Sequence, residues 1–403
     1  MAVLRPFRAL RPAPESAARV AAVPYDVVNT EEARAIASGN PLSFLHVSRA
    51  EIDLPDGTNP YSDLVYQKAV ENFSALKTAA PLVVEERPSL YVYHLKMGNH
   101  VQTGVAGAYS LDEYDSDAIK KHERTRKDKE DDRTRHILEL RAQTGPVFLI
   151  YPASAAIDAV TDSVASGRPL CDFTAADGIQ HTIWRADEAQ ARALVTAFGG
   201  VPALYIADGH HRAASAARAR QQLAAQGRGD WDRFLAVAFP DNQMQVLPYN
   251  RVVRDLSRYT PATLLDAIRQ KATVMHGPAV PSRKGQVAMF VDGQWHTIDL
   301  GEAPRNLPAA DRLDVSRLQE LVLGPLLAVG DVRTDRRIDF VGGARGTTEL
   351  ERLVTSGKAA VAFSMYPVSV VDLMEISDAG GIMPPKSTWF EPKLRDGLLS
   401  LTI

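Results

Sequence analysis

The stretch that decides the fold is Val201–Ala225, VPALYIADGHHRAASAARARQQLAA. Val201 to Ala207 is an apolar run of the length expected for a buried strand. Asp208-Gly209 is a turn signal, and Ala213 to Ala225 is rich enough in alanine to read as a helix. Strand, tight turn and helix together form a recurrent anion site. The first N–H groups of a helix lack intrahelical partners, and the helix dipole there favours negative charge. Asp208 stands where an N-cap belongs, and Gly209 lets the backbone approach a ligand closely. His210, His211 and Arg212 put three potential cations at the helix end that disfavours them. A bound anion, phosphate first, would compensate them. The plain alternative is a capped helix with a solvated basic turn. Adjacent histidines point about 100° apart on a helix, which suits phosphate contacts better than one shared metal, so no metal is assigned to them. Arg212 offers a planar fork for phosphate oxygens or a carboxylate.

The bulk composition narrows the class. A chain of 403 residues has room for two or three domains. A net charge of −3 supplies no global basic field for nucleic acid. The single cysteine, Cys171, excludes an internal disulfide framework and fits a reducing compartment. The first ten residues lack the apolar core of a signal peptide, and no window reads as a membrane span, so the expected location is the cytoplasm.

Strand-like and helical patterns interleave along the whole chain, so the expected class is α+β (mixed α/β). Residues 1–115 read as an N-terminal α+β region. It includes a strand-like Val23–Val27, a helix over Tyr61–Leu76, and strands at Leu90–Leu95 and Thr103–Tyr109. Residues 116–258 hold the motif-bearing core, with a buried strand at Val147–Tyr151 and a helix at Glu188–Phe198. Residues 259–403 form a third, α+β region. Its expected helices are Thr263–Thr273, Val315–Leu323 and Ser369–Ile376, and its expected strands are Gln286–Val291 and Ala359–Phe363.

Within the core, Lys120–His136 (KKHERTRKDKEDDRTRH) runs 17 residues without a hydrophobic side chain. Such runs are ordinarily solvated faces or loops, but this one is anchored by apolar residues at both ends. It combines a candidate base, Glu123 beside His122, with cations at Arg124, Arg126, Lys129, Arg133 and Arg135, of which Arg126, Lys129 and Arg133 are kept as candidate phosphate contacts. A phosphoryl-transfer site needs those parts: a carboxylate to take a hydroxyl proton and cations for phosphate oxygens. Near the C-terminal end, Lys386-Ser387-Thr388 superficially resembles the end of a phosphate loop. Pro385 replaces the required glycine and donates no N–H, so the match fails. A packed tail is the plainer reading, with Lys386 and Thr388 kept as candidate anion contacts. Asp26, after Pro24-Tyr25, reads as a turn cap or a ligand-contacting residue. Asn250 and Arg251 read as a loop or a site contact.

A histidine–glutamate pair followed by a strand ending in Asp-Gly-His-His-Arg resembles the ParB/sulfiredoxin-like superfamily. Within it, the resemblance is to the free serine kinases, which phosphorylate L-serine using ADP or ATP. It implies a ParB/sulfiredoxin-like core at 116–258 with α+β additions on both sides. It also implies Glu123 as catalytic base, Gly209, His210, His211 and Arg212 in the turn around the nucleotide phosphates, and Asp208 near the transferred phosphoryl group or a magnesium ion; His122 is kept beside them as a candidate phosphate contact. Mg2+ with ADP or ATP would be the cofactors. A nucleotide and a small hydroxylated metabolite would be the partners, with L-serine to O-phospho-L-serine as the first expectation. The whole chain is also similar to a widespread family of uncharacterised bacterial and archaeal proteins. That likeness is carried by Arg5-Pro6-Phe7, Pro24-Tyr25-Asp26-Val27, Lys121-His122-Glu123, Ala207–Arg212 and Met383–Lys393. Other readings use the same residues: a phosphatase or nucleotide hydrolase at the same anion site, a ParB-like nucleotide-dependent DNA-binding protein, or a non-catalytic metabolite sensor. The DNA-binding reading is weakened by the net charge and by the lack of a basic helix-turn-helix.

Overall fold

The computed structural model describes residues 2–80, 82–226 and 229–403. The fold is α+β, and the chain divides into two compact units, Met1–Met244 with Pro392–Ile403, and Gln245–Glu391.

Among the described residues of the first unit, nine strands make one mixed sheet. From one edge, the order is Ile119–Lys120, Leu204–Asp208, Val147–Tyr151, Arg233–Pro240, His100–Ser110, Tyr91–Met97, Gln180–Arg185 and Cys171–Thr174, with Leu4–Arg5 paired onto His100–Ser110. Leu204–Asp208 runs parallel to Ile119–Lys120, and Arg233–Pro240 runs parallel to Val147–Tyr151. All five residues of Val147–Tyr151 are buried, as a continuous apolar run demands. The boundary expected near residue 115 falls inside this sheet, because strands from both sides of it pair directly. The helices Ala155–Ala165, Glu188–Phe198 and His210–Leu223 cover the sheet, and Ile157, Leu194, Phe198, Ala213, Ala216 and Phe234 share one apolar cluster. Each fully buried large side chain, such as Leu194 or Phe198, contributes about 1.5–3 kcal/mol.

The helix Asp63–Ala79 buries Val65, Ala69, Phe73 and Leu76 as the sequence periodicity predicts, and Tyr66 as well, whereas Leu64 is exposed and Tyr61 is exposed and precedes the helix. This stripe joins Phe44, Leu45 and Ala142 in a second cluster. A small sheet of Leu82–Val84, Ala9–Pro12, Ser400–Thr402 and Ala142–Gln143 ties the end of the chain to its beginning.

The charged run is not a loop throughout. From Lys127 it forms a helix to Leu140 that buries Asp132, Thr134, His136, Ile137 and Leu140. Its charges are paired within the helix, as in Lys127–Asp131 at 2.8 Å, and with Arg218, which lies 2.5 Å from Asp131 and 3.3 Å from Glu130. The partner helix is the alanine-rich His210–Leu223. Its small side chains permit close approach, and Ser215 Oγ donates to the Glu130 carbonyl at 3.2 Å. Val23–Val27 is a turn rather than a strand. Pro24 has no N–H for a ladder, and the Val27 N–H bonds back to the Pro24 carbonyl.

In the second unit, an antiparallel sheet has the order Thr273–His276, Gln294–Asp299, Gln286–Val291, Val361–Met365, Tyr249–Val253 and Ile338–Gly342. Its helices include Pro261–Arg269, Gly346–Thr355 and Val370–Asp378. Asp314–Leu318 is α-helical but relaxes into a π turn over Gln319–Leu323, so the expected Val315–Leu323 helix is irregular. Val252, Phe290, Leu350 and Ala362 form the core.

Candidate functional site

The strand Leu204–Asp208 extends one residue further than expected, and this moves Asp208 off the N-cap. Gly209 takes that position, in the left-handed region at φ +92°, with no side-chain cap. Glycine is needed there twice over: for the backbone conformation, and because a Cβ would lie 2.9 Å from Arg212 Nε. Released from capping, the Asp208 carboxylate meets two cations. Arg212 Nη2 lies at 3.2 Å and Lys393 Nζ at 3.3 Å. Burial alone would raise the Asp208 pKa, but Lys393 and Arg212 hold it well below the usual carboxylate range.

The two histidines of the turn face different ways and have different partners. His210 is buried, packed edge-on against His122 with ring centroids 4.4 Å apart. Its Nε2 accepts from the His122 backbone N–H at 3.4 Å, and its Nδ1 lies 3.9 Å from Glu123 Oε2. His211 Nε2 accepts from the Arg126 backbone N–H at 3.0 Å. A backbone N–H can only donate, so in both rings Nε2 carries the lone pair and the proton sits on Nδ1. Burial also lowers the pKa of both rings, and it pushes His122 down to about 4. The expectation of three cations in this helical turn is therefore corrected. At neutral pH, Arg212 is the charged member, and the histidines are neutral N–H donors. The conflict with the helix dipole is relieved by desolvation of the imidazoles and by Asp208, without requiring a bound anion.

Arg212 is buried, and its Nη1 donates to the Pro146 carbonyl. Burial opposes its charge, but Asp208, Asp26 and Asp396 outweigh that and raise its pKa. Asp396 is buried beside it, and burial pushes this carboxyl up to about 7 against the pull of Arg212. Arg212 and Asp396 line a cavity of about 30 Å³ with Tyr25, Arg133 and Gly145, space enough for one water. Arg212 Nε and Asp396 Oδ1 are buried without hydrogen-bond partners among the described residues. A larger cavity of about 210 Å³ is lined by Tyr25, Ser48, Arg49, Tyr61, Lys129 and Arg133.

The structure thus brings His122, Glu123, Asp208, Gly209, His210, His211 and Arg212 together, with exposed Asp26 close enough to stabilise the charge on Arg212 and to oppose the lowering of the His211 pKa. The cations of the charged run have partners within the fold. Arg126 forks onto Asp128. Lys129 Nζ donates to the Tyr61 hydroxyl at 2.7 Å. Arg133 pairs with Asp132 at 2.9 Å and lies over the Tyr25 ring. Asn250, Arg251, Lys386 and Thr388 belong to the second unit. There, Asn250 Oδ1 accepts from the Met365 N–H at 3.0 Å, Arg251 Nη2 donates to the Lys386 carbonyl at 3.0 Å, and the Lys386 ammonium lies 5.3 Å from the Tyr249 ring centroid. Reasoning from sequence missed Lys393 and Asp396. Lys393 closes the Met383–Lys393 stretch that the sequence singles out, and its place after Pro392 was the only available signal.

Residues 4–316 match the family described as "Protein of unknown function (DUF1015)". The chain belongs to this family. No curated protein matches it. Similar solved structures include a free serine kinase in complex with AMP, at 11% identity and TM-score 0.37, covering 74% of this chain and 91% of that chain. A conserved hypothetical protein from Pyrococcus furiosus is similar at 13% identity and TM-score 0.34, covering 73% and 94%. SbnI with a C-terminal truncation, from Staphylococcus aureus, is similar at 12% identity and TM-score 0.39, covering 73% and 87%. No helix among the described residues of this DUF1015 protein is long and apolar enough to cross a membrane.

Proposed function

We propose that the protein transfers a phosphoryl group from ADP or ATP to a small hydroxylated metabolite, with L-serine as the first acceptor to test. One observation carries this reading: the Glu123 carboxylate lies 3.9 Å from His210 Nδ1, at the start of a 14-residue helix. A carboxylate beside a helix N-terminus supports the reading of a proton acceptor next to an anion-receptive helix end. The likeness of the Asp-Gly-His-His-Arg turn to that of the free serine kinases supports the choice of acceptor.

In this reading, Glu123 takes the proton of the acceptor hydroxyl as its oxygen attacks the terminal phosphorus. The bond from that phosphorus to the bridging oxygen breaks, and the nucleotide leaves one phosphate shorter. The Nδ1–H groups of His210 and His211 and the first helical N–H groups donate to phosphate oxygens, while Arg212 and Lys393 supply positive charge. Asp208, ionised between its two cations, is the oxygen donor that would hold a hard Mg2+. When bound, such an ion would neutralise charge on the phosphates.

The test is a purified-protein assay with L-serine and either nucleotide, following O-phospho-L-serine and the shortened nucleotide. Absence of turnover with every nucleotide and a panel of hydroxylated acceptors would overturn the reading. So would undiminished turnover in Glu123→Gln, or release of phosphate from phosphoserine without a nucleotide.

A further inference from the structure

We infer that His122, Glu123 and His210 form a binding site for a divalent transition-metal ion of the zinc class. Each residue offers one donor atom, and the three atoms lie within 4.8 Å of one another. His122 and His210 are 2% and 4% exposed, while the Glu123 side chain is half exposed. Two imidazoles are thus fixed by packing, with a half-exposed carboxylate beside them. A second observation is independent of that proximity. His122 Nδ1 is buried with no hydrogen-bond partner among the described residues, a costly condition for a ring nitrogen that a ligand would relieve.

The donor set selects the ion. Two nitrogens and one oxygen suit Zn2+, Co2+ or a similar first-row ion, whereas Mg2+ and Ca2+ take oxygen ligands. Three protein ligands leave a fourth position open. Bond lengths of about 2.0–2.2 Å require the donors to draw in slightly from their present separations, and the half-exposed Glu123 is the member able to move. Coordination through His210 Nδ1 shifts the ring proton to Nε2. That costs the hydrogen bond from the His122 N–H, which at 3.4 Å is already long.

The site overlaps the one proposed for phosphoryl transfer, and the functional consequence rests on that reading. An ion held by Glu123 occupies the carboxylate that would accept the hydroxyl proton, so zinc-class ions inhibit where Mg2+ supports turnover. Binding itself does not depend on the proposed reaction.

The experiment is titration of the full, chelator-treated chain with Co2+, read by its visible absorption, and with Zn2+ by calorimetry. One ion per chain is expected. Glu123→Gln, at a half-exposed position that the fold tolerates, should weaken binding tenfold or more, the range seen when metal-site partners are lost. His122→Ala and His210→Ala should abolish it in protein shown by circular dichroism to be folded. His276→Ala, which removes one ring of the His276–His296 pair in the second unit, should leave binding unchanged. No uptake, uptake indifferent to Glu123→Gln, or uptake lost in His276→Ala overturns the assignment. Uptake by a protein that shows no phosphoryl transfer overturns the proposed function and leaves the metal site standing. Turnover without uptake does the reverse.

Discussion

The Lys393 ammonium stands 3.3 Å from the Asp208 carboxylate, 185 residues away in sequence. With Arg212 on the same oxygen at 3.2 Å, one carboxylate is shared between two cations. Lys393→Met keeps the aliphatic stem and removes the charge. Asp208 then retains Arg212 alone, and the loss of one charged hydrogen bond should cost roughly 1.5–3 kcal/mol in urea unfolding. If the proposed function holds, nucleotide affinity should fall as well, because a positive charge leaves the proposed phosphate site. Unchanged stability would mean that the Lys393–Asp208 contact contributes nothing.

Gly209→Ala should destabilise for two separable reasons. A left-handed conformation costs an alanine about 1–2 kcal/mol, and the new Cβ would sit 2.9 Å from Arg212 Nε. Gly178→Ala is the control, since φ there is +79° with nothing within 4 Å of the added carbon. The difference between the two melting temperatures isolates the push on Arg212. Equal losses would show that the guanidinium moves aside freely.

Asp396 predicts a pH signature. Its folded-state pKa is raised from the ordinary value of 3.8 to about 7, chiefly by burial. Between those values the folded state holds a proton that the unfolded state has released, so this group's stabilisation is full below about pH 4 and is lost as pH rises through 7. Asp396→Asn cannot titrate. The melting temperature of Asp396→Asn relative to wild type should therefore climb from pH 4 to 7 and level off above 8. A difference that stays flat across this window would show that Arg212 and Arg133 keep Asp396 ionised.

Glu123→Gln should lower turnover with L-serine by 100-fold or more, the ordinary contribution of a general base, while leaving nucleotide affinity within twofold. Isothermal titration separates the two effects. A matching loss of affinity would assign Glu123 to binding.

Much of the architecture is legible in local patterns. The apolar run at Val147–Tyr151 and the three-and-four spacing of Val65, Ala69, Phe73 and Leu76 report burial directly, because neighbours along the chain bury the same face. The turn at Asp208–Arg212 is equally plain as a strand–helix junction. What sequence does not carry is the state of its charges. His210 and His211 read as cations until their burial and backbone donors are known, and Asp208 reads as a cap until the strand is seen to run through it. The charged run reads as solvent-facing because its apolar partner surface, the alanines of His210–Leu223, lies some 85 residues further on. Asp396 carries no local signal of a site, and Lys393 carries only its place after Pro392 at the close of the Met383–Lys393 stretch. They join it only because the chain returns to its first unit.

That return has a consequence for how the protein is made. Everything between Gln245 and Glu391 is synthesised as a separate unit before Lys393 leaves the ribosome. At roughly 5–20 residues per second, the 185 residues separating Asp208 from Lys393 take about 10–40 s to appear. For that interval a nascent chain holds its helix turn without the second cation, without Asp396 behind Arg212, and without the Ser400–Thr402 strand that pairs with Ala9–Leu10. A chain stopped before Lys393 therefore holds Asp208 with Arg212 as its one cation of the pair.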